Sequence, residues 1–254
     1  LQEGTMASLT WAQRLYQFPL GVFGIAVATA IYPLLAKQAK MHDSFSSMIR
    51  RGLRLVVYIG LPASAGLILI REPLVSAVFQ GDKFTSEDVI TVGSILLGYS
   101  SAVWAYSMIQ VLTRGFYAKG DMKTPVTIAV ICVALNFVLN VLLIWTPLGA
   151  SGLAWSTAIC AVMNVSLLLV YIRPHVANPI DQEVIRSFVA TSVLTIAMSI
   201  VVALVVSQLW KTGGDWNDSL LPLISSVAAG IVVYVLGSVL MKRPELHWAI
   251  GKSR

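Results

Sequence analysis

The sequence predicts an all-α polytopic membrane protein, a bundle of about seven transmembrane helices, and three observations carry that prediction. Only 12% of the 254 residues are charged and 57% are hydrophobic, whereas an average soluble domain carries roughly a quarter charged residues. Too little polar surface remains to coat a soluble enzyme, and the mean hydropathy is +0.78. The charges also cluster between apolar runs of about 20 residues or more, the length that crosses a hydrocarbon core about 30 Å thick. Lipid offers a backbone no hydrogen bonds, so such runs must be helical.

The third observation is the distribution of basic residues over alternate loops. One side collects Lys37, Lys40, Arg50, Arg51 and Arg54, then Arg114, Lys119 and Lys123, then Arg173 and Arg186. The tail adds Lys242, Arg243, Lys252 and Arg254 to that side, leaving Arg71, Lys83 and Lys211 on the other. An asymmetry of this size reads as positive-inside. It predicts an outside N-terminus, a cytoplasmic C-terminus and chain ends on opposite faces. The net charge of +6 follows from topology and calls for no nucleic-acid partner.

The spans follow in order. The first, residues 6–36, would be roughly 45 Å long as a helix and must tilt or bend. Pro19, with Gly21 and Gly24 after it, predicts a break between Phe18 and Gly24, because proline removes a backbone hydrogen bond. The second covers residues 48–70, with a short amphipathic stretch at 72–79 and a turn at 80–82. The third and fourth cover 89–113 and 125–145, and Pro147 and Gly149 mark the next turn. The last three cover 153–172, 188–209 and 220–241. Most tryptophans, among them Trp11, Trp104, Trp145, Trp155, Trp210 and Trp216, suit an interfacial belt.

Few residues in this pattern carry chemistry. All twelve acidic residues fall in loops, tails or helix ends, which argues against an intramembrane proton relay. No metal-ligand or nucleophile motif occurs, His42, His175 and His247 lie in loops or the tail, and Cys132 and Cys160 read as small core residues. An enzyme is therefore not expected. Arg14 is the exception to the charge map, lying about eight residues into the first span. An arginine at the centre of a membrane helix costs about 2.5–3.5 kcal/mol on insertion scales. Two readings stay open: an anion-binding guanidinium facing a wet cavity, or an interfacial arginine that snorkels outward. Asn136 and Asn140 form an i, i+4 pair read either as interhelical glue or as a cation site lacking a carboxylate.

The run from Arg14 to Gly24 (RLYQFPLGVFG) and the run from Gly115 to Pro125 (GFYAKGDMKTP) together resemble the MurJ/MviN family of lipid II flippases. Tyr32-Pro33-Leu34-Leu35-Ala36, Glu72-Pro73-Leu74, Phe84-Thr85 and Asp88 extend that similarity in order and spacing, whereas Gln80-Gly81-Asp82-Lys83 departs from it. The resemblance implies half of a fourteen-helix exporter fold of the multidrug/oligosaccharidyl-lipid/polysaccharide class, hence a carboxy-terminal fragment. Residues 1–175 would be a partial transport lobe, and 176–254 an additional helix pair with a basic cytoplasmic tail. The implied partners are lipid II, membrane lipids and the missing amino-terminal lobe of the same protein. The implied process is alternating access across the bacterial inner membrane during peptidoglycan synthesis. Arg14 would bind the substrate pyrophosphate, and Arg54 would stand at the entrance unless it is only a positive-inside anchor. The added helix pair would form a groove for the lipid tail. No cofactor or metal is called for, and coupling would come from a monovalent cation or the membrane potential. The alternatives are an exporter of another lipid-linked oligosaccharide or drug, or a non-catalytic membrane subunit.

Overall fold

The computed structural model describes residues 4–81, 84–211 and 216–249. Asp82, Lys83, Lys252 and Arg254, and the side chain of Trp216, fall outside what is described. Among the described residues there are seven helical runs long and apolar enough to cross a membrane, and one isolated bridge between Gly81 and Phe84 in place of any sheet.

The first run joins α1 (Thr5–Pro19), a π-helical turn (Leu20–Ile25) and α2 (Ala26–Gln38). The α-helical pattern gives way directly after Pro19, whose nitrogen has no hydrogen to donate. The second is α3 (His42–Leu69), after which α4 (Arg71–Phe79) lies short and separate. The third run is split into α5 (Ser86–Ser100) and α6 (Val103–Ala118). No proline marks that split, but Gly98 stands in the last turn of α5 and the Ser101 hydroxyl donates back to its carbonyl (2.7 Å). Ser64 of α3 accepts a hydrogen bond from the Trp104 backbone N–H (3.2 Å), and the Trp104 indole donates to Ser101 O (3.0 Å). Trp104 therefore sits mid-span against a neighbouring helix, which removes it from the expected interfacial belt. The remaining spans are α7 (Lys123–Leu143), α8 (Ala150–Tyr171), α9 (Gln182–Leu209) and α10 (Trp216–Leu240), followed by α11 (Pro244–Ala249).

Helix ends are set by local chemistry. Thr85 and Asp88 form a reciprocal capping box at the start of α5. At the end of α6, Gly120 N donates to Tyr117 O and Asp121 N to Phe116 O, both at 3.0 Å, which is a Schellman closure. It needs a left-handed residue, and Gly120 supplies φ +78°. Asp121 then caps α7 through the Thr124 N–H (3.0 Å), and that hydrogen bond holds its carboxyl below the ordinary carboxylate range. Much of the GFYAKGDMKTP phrase is therefore a helix-stop, turn and helix-start. Lys119 within it stitches the turn to the first span, donating to Ala39 O at 2.6 Å over the Phe45 ring.

Among the described residues, three buried clusters hold the bundle. One joins α2, α3, α6 and α8 around Phe45, Leu53 and Phe116. A second joins α1, α4 and α5 around Tyr16, Ile95 and Tyr99, with the Tyr16 and Tyr99 rings stacked at 4.8 Å. The third seats α9 and α10 on α3 through Tyr58, Met198 and Tyr234. Helices approach closely where residues are small, as at Gly98 of α5 against Ala154 of α8. The helix pair α9–α10 thus forms a flank on α3, and one side of the first span is left uncovered.

Candidate functional site

The uncovered side of α1 is the first feature with chemical content. Thr10, Gln13, Arg14 and Gln17 are all exposed, and spacings of three and four residues put them on one helical face. Tyr16, roughly 110° round the helix from the middle of that stripe, is buried against Tyr99 and Tyr106 and fixes the rotation of the helix. Arg14 lies about 14 Å along the axis from the start of α1. Among the described residues it makes no ion pair and no side-chain hydrogen bond. Beyond it the same side stays open and turns apolar, with Phe18 and Val22 exposed. A guanidinium there presents a planar fork of donors suited to a phosphate oxygen pair.

A second feature lies further along the same span. A cavity of about 540 Å³ runs between the first span, α3, α9 and α10. Its wall includes Pro19, Tyr58, Pro62, Gly66, Met198 and Tyr234, and it is overwhelmingly apolar. Pro19 is about 7.5 Å along the axis from Arg14 and about 140° round the helix from it, so the groove opens on a different side of the first span from the polar stripe. The two tyrosine hydroxyls do not face the groove unpaired: Tyr58 donates to Ser238 Oγ (2.7 Å), and Tyr234 to the Tyr58 carbonyl (2.6 Å). A groove of this kind accepts hydrocarbon.

Arg54 is paired with two carboxylates. Its Nε donates to Glu245 Oε1 (2.8 Å) and its Nη1 to Glu183 Oε2 (3.0 Å), and its side chain is 15% exposed. Both carboxylates already occupy it, so in this arrangement it offers no free fork to a substrate at an entrance. The tail is likewise folded. Glu245 is fully buried, held also by Ser187 and Arg243, and Trp248 lies under Arg51 and Arg54 at 4.5 and 5.0 Å. Nothing in the local sequence signals a buried carboxylate in a basic tail. Leu246 and Trp248, two large apolar residues after a proline, were the available hint.

Asn136 and Asn140 are brought together with the start of α8. Asn140 Nδ2 donates to Asn136 Oδ1 (3.1 Å), Asn136 Nδ2 donates to Ser156 Oγ (3.3 Å) and Thr157 Oγ1 (3.4 Å), and the Ser156 hydroxyl donates to Asn140 Oδ1. The amide oxygens are thus engaged in a clasp between α7 and α8. Among the described residues, no group of three or more His, Cys, Asp and Glu is placed to hold a metal ion.

Comparison with known proteins adds a family. The profile described as "Lipid II flippase MurJ" matches residues 1–225. The chain is 39% identical to the probable lipid II flippase MurJ of Vibrio cholerae over 170 residues, which is 66% of this chain and 32% of that protein. It is 31% identical to the corresponding Rhizobium meliloti protein over 92% of this chain and 44% of the relative. For the Thermotoga maritima protein the figures are 31%, 97% and 48%. The chain thus spans about a third to a half of the length of these relatives. A solved lipid II flippase MurJ in an inward closed conformation superposes with TM-score 0.81 at 23% identity, over 96% of this chain and 48% of that one. An inward-facing multidrug resistance transporter of the MATE family superposes at 0.53 with 16% identity, over 92% and 55%. These two likenesses speak to the fold.

Proposed function

The chain belongs to the MurJ family of lipid II flippases, and we propose that it forms the carboxy-terminal part of a flippase that moves lipid II across the bacterial inner membrane. The observation that carries this reading is Arg14, exposed on a polar stripe of an otherwise apolar span and without an ion-pair partner among the described residues. An uncompensated arginine facing hydrocarbon is costly, so that face is expected to meet water, an anion or another protein surface. The other half of a protein of the relatives' length would provide the facing lobe.

In this reading the diphosphate of lipid II binds the Arg14 fork in the cavity between lobes. The polyprenyl chain, which need not leave the bilayer, lies in the apolar groove against α3, α9 and α10. Rocking of the lobes presents the headgroup to one side and then the other, and a monovalent cation gradient or the membrane potential supplies the bias. One elementary charge moved through 100 mV is worth about 2.3 kcal/mol. The basic-residue asymmetry supports an outside N-terminus and a cytoplasmic C-terminus for this segment.

The test is complementation in flippase-depleted cells by a chimaera joining this chain to the amino-terminal half of a family member. Arg14→Ala should abolish rescue at normal membrane abundance, and Arg14→Lys should restore part of it, since lysine keeps the charge and loses the fork. Full growth with Arg14→Ala would remove Arg14 from substrate binding and leave it a snorkelling side chain.

A further inference from the structure

The tail of the chain is arranged as a small amphiphile. Glu245 places its carboxylate on Arg54 and Arg243, and the next residue, Leu246, lines the apolar groove, packed against the cluster of Tyr58, Met198 and Tyr234. Arg54 and Tyr58 are one turn apart on α3, so the cationic cluster and the groove wall are continuous. We propose that Glu245-Leu246 is a built-in pseudo-ligand, occupying a binding site for a lipid with a phosphate-bearing headgroup and vacating it when such a lipid binds. The isoprenoid diphosphate form of that ligand rests on the function proposed above; the pseudo-ligand itself does not.

The arginines are only partly met by the carboxylate. Arg243 donates through Nη2 to Ser187 O (3.1 Å), Ser187 Oγ (2.9 Å) and Thr191 Oγ1 (3.2 Å), and approaches Glu245 Oε2 at 3.2 Å. Its Nε is buried without a hydrogen-bond partner among the described residues, and so is Glu245 Oε2. Buried donors are normally paired, and an unmet one carries a cost. A phosphate brings an additional oxygen and more charge than a carboxylate, and can satisfy Arg54 and Arg243 together. The other charges at the site are Glu183, which bridges to Arg54, and Arg51, which stacks on Trp248. Three arginines against two glutamates leave the cluster net positive, as an anion site requires. The plug itself is slight, since α11 has six residues and exposes Pro244, His247 and Ala249.

Hydrogen exchange on the wild-type chain in detergent micelles tests the idea directly. Geranylgeranyl diphosphate and a short-chain phosphatidylglycerol are the two probes. Saturation with a ligand that takes the site should speed exchange of the 245–249 amides by about tenfold or more, because displaced helices lose protection. Glu245→Gln, and separately a stop codon after Arg243, should tighten binding of the same probe by about tenfold, one decade in Kd. Arg54→Gln added to Glu245→Gln should abolish that gain, which a general loosening of the bundle would not predict. A response to the diphosphate supports the pseudo-ligand and its link to the proposed transport. A response to phosphatidylglycerol alone supports the pseudo-ligand and severs that link. Unchanged protection of 245–249 with both probes at saturation overturns the proposal, whatever the complementation result.

Discussion

Substituting Gly98 tests whether the helices behave as one rigid lobe. A Cβ built at Gly98 lies 2.7 Å from the Ala154 Cβ, 3.1 Å from the Trp155 backbone nitrogen and 3.2 Å from the Ala154 carbonyl carbon. Carbon atoms rest at about 3.5–4.0 Å, so α5 and α8 must part by roughly 1 Å at that point. The neighbouring atoms belong to backbone and a methyl group, and none can swing aside. Overpacking of this kind costs about 1–3 kcal/mol, or roughly 2–10 °C in Tm for a chain of this size. Gly66 of α3 is the internal control, because nothing lies within 4 Å of its built Cβ. Gly66→Ala should be neutral or stabilising by up to about 1 kcal/mol, through helix propensity alone. The assay is thermal unfolding in micelles followed with a thiol-reactive dye, since Cys132 and Cys160 are both free and buried. Gly98→Ala melting at or above the wild type, or level with Gly66→Ala, would refute the close helix approach.

Three further outcomes are expected. Thr85→Ala should cost about 1 kcal/mol by removing the α5 cap, read as a lower Tm in the same dye assay. Asp121 has its carboxyl depressed chiefly by the Thr124 backbone N–H, so its contribution is present above the ordinary carboxylate pKa and fades as pH falls through the lowered value. Asp121→Asn should therefore show a smaller loss of Tm on acidification below about pH 4 than the wild type, and an equal loss would dismiss the cap. Asn140→Ala should destabilise by about 0.6–2 kcal/mol through loss of the α7–α8 clasp, and an unchanged Tm would show that the clasp contributes nothing.

The spans were legible in the sequence because hydropathy is a local property, and Arg14 stood out for the same reason. Tertiary partners were not legible. Arg54 looked like a free cation near a helix end, yet its carboxylate partners lie 129 and 191 residues away. Glu245 looked solvated because its neighbours in sequence are basic, while its burial depends on Ser187, Arg54 and Arg243. The division of the third span at residues 101–102 was not legible because Gly98 and Ser101 are ordinary small residues of a membrane helix, and Ser64, which accepts the Trp104 N–H, belongs to another helix. The phrases that carried the family resemblance mix roles. RLYQFPLGVFG holds the candidate cation, whereas Thr85, Asp88 and much of GFYAKGDMKTP terminate and start helices.

The π-helical turn at Leu20–Ile25 sets the phase between the two halves of the first span. A π-turn accommodates one residue more than the α-helix around it, and one residue is worth about 100° of rotation at 3.6 residues per turn. The turn therefore works like a cam. The upper half is indexed by Tyr16 in its aromatic stack and the lower half by Ile31 and Leu35 in the core. Deleting Gly21, whose built Cβ meets nothing, would let the turn relax to α-helix and wind the halves back by about 100°. Either Tyr16 would leave its stack and carry Arg14 off the open face, or Ile31 and Leu35 would leave the core, so this single deletion should silence the site with every side chain around it intact.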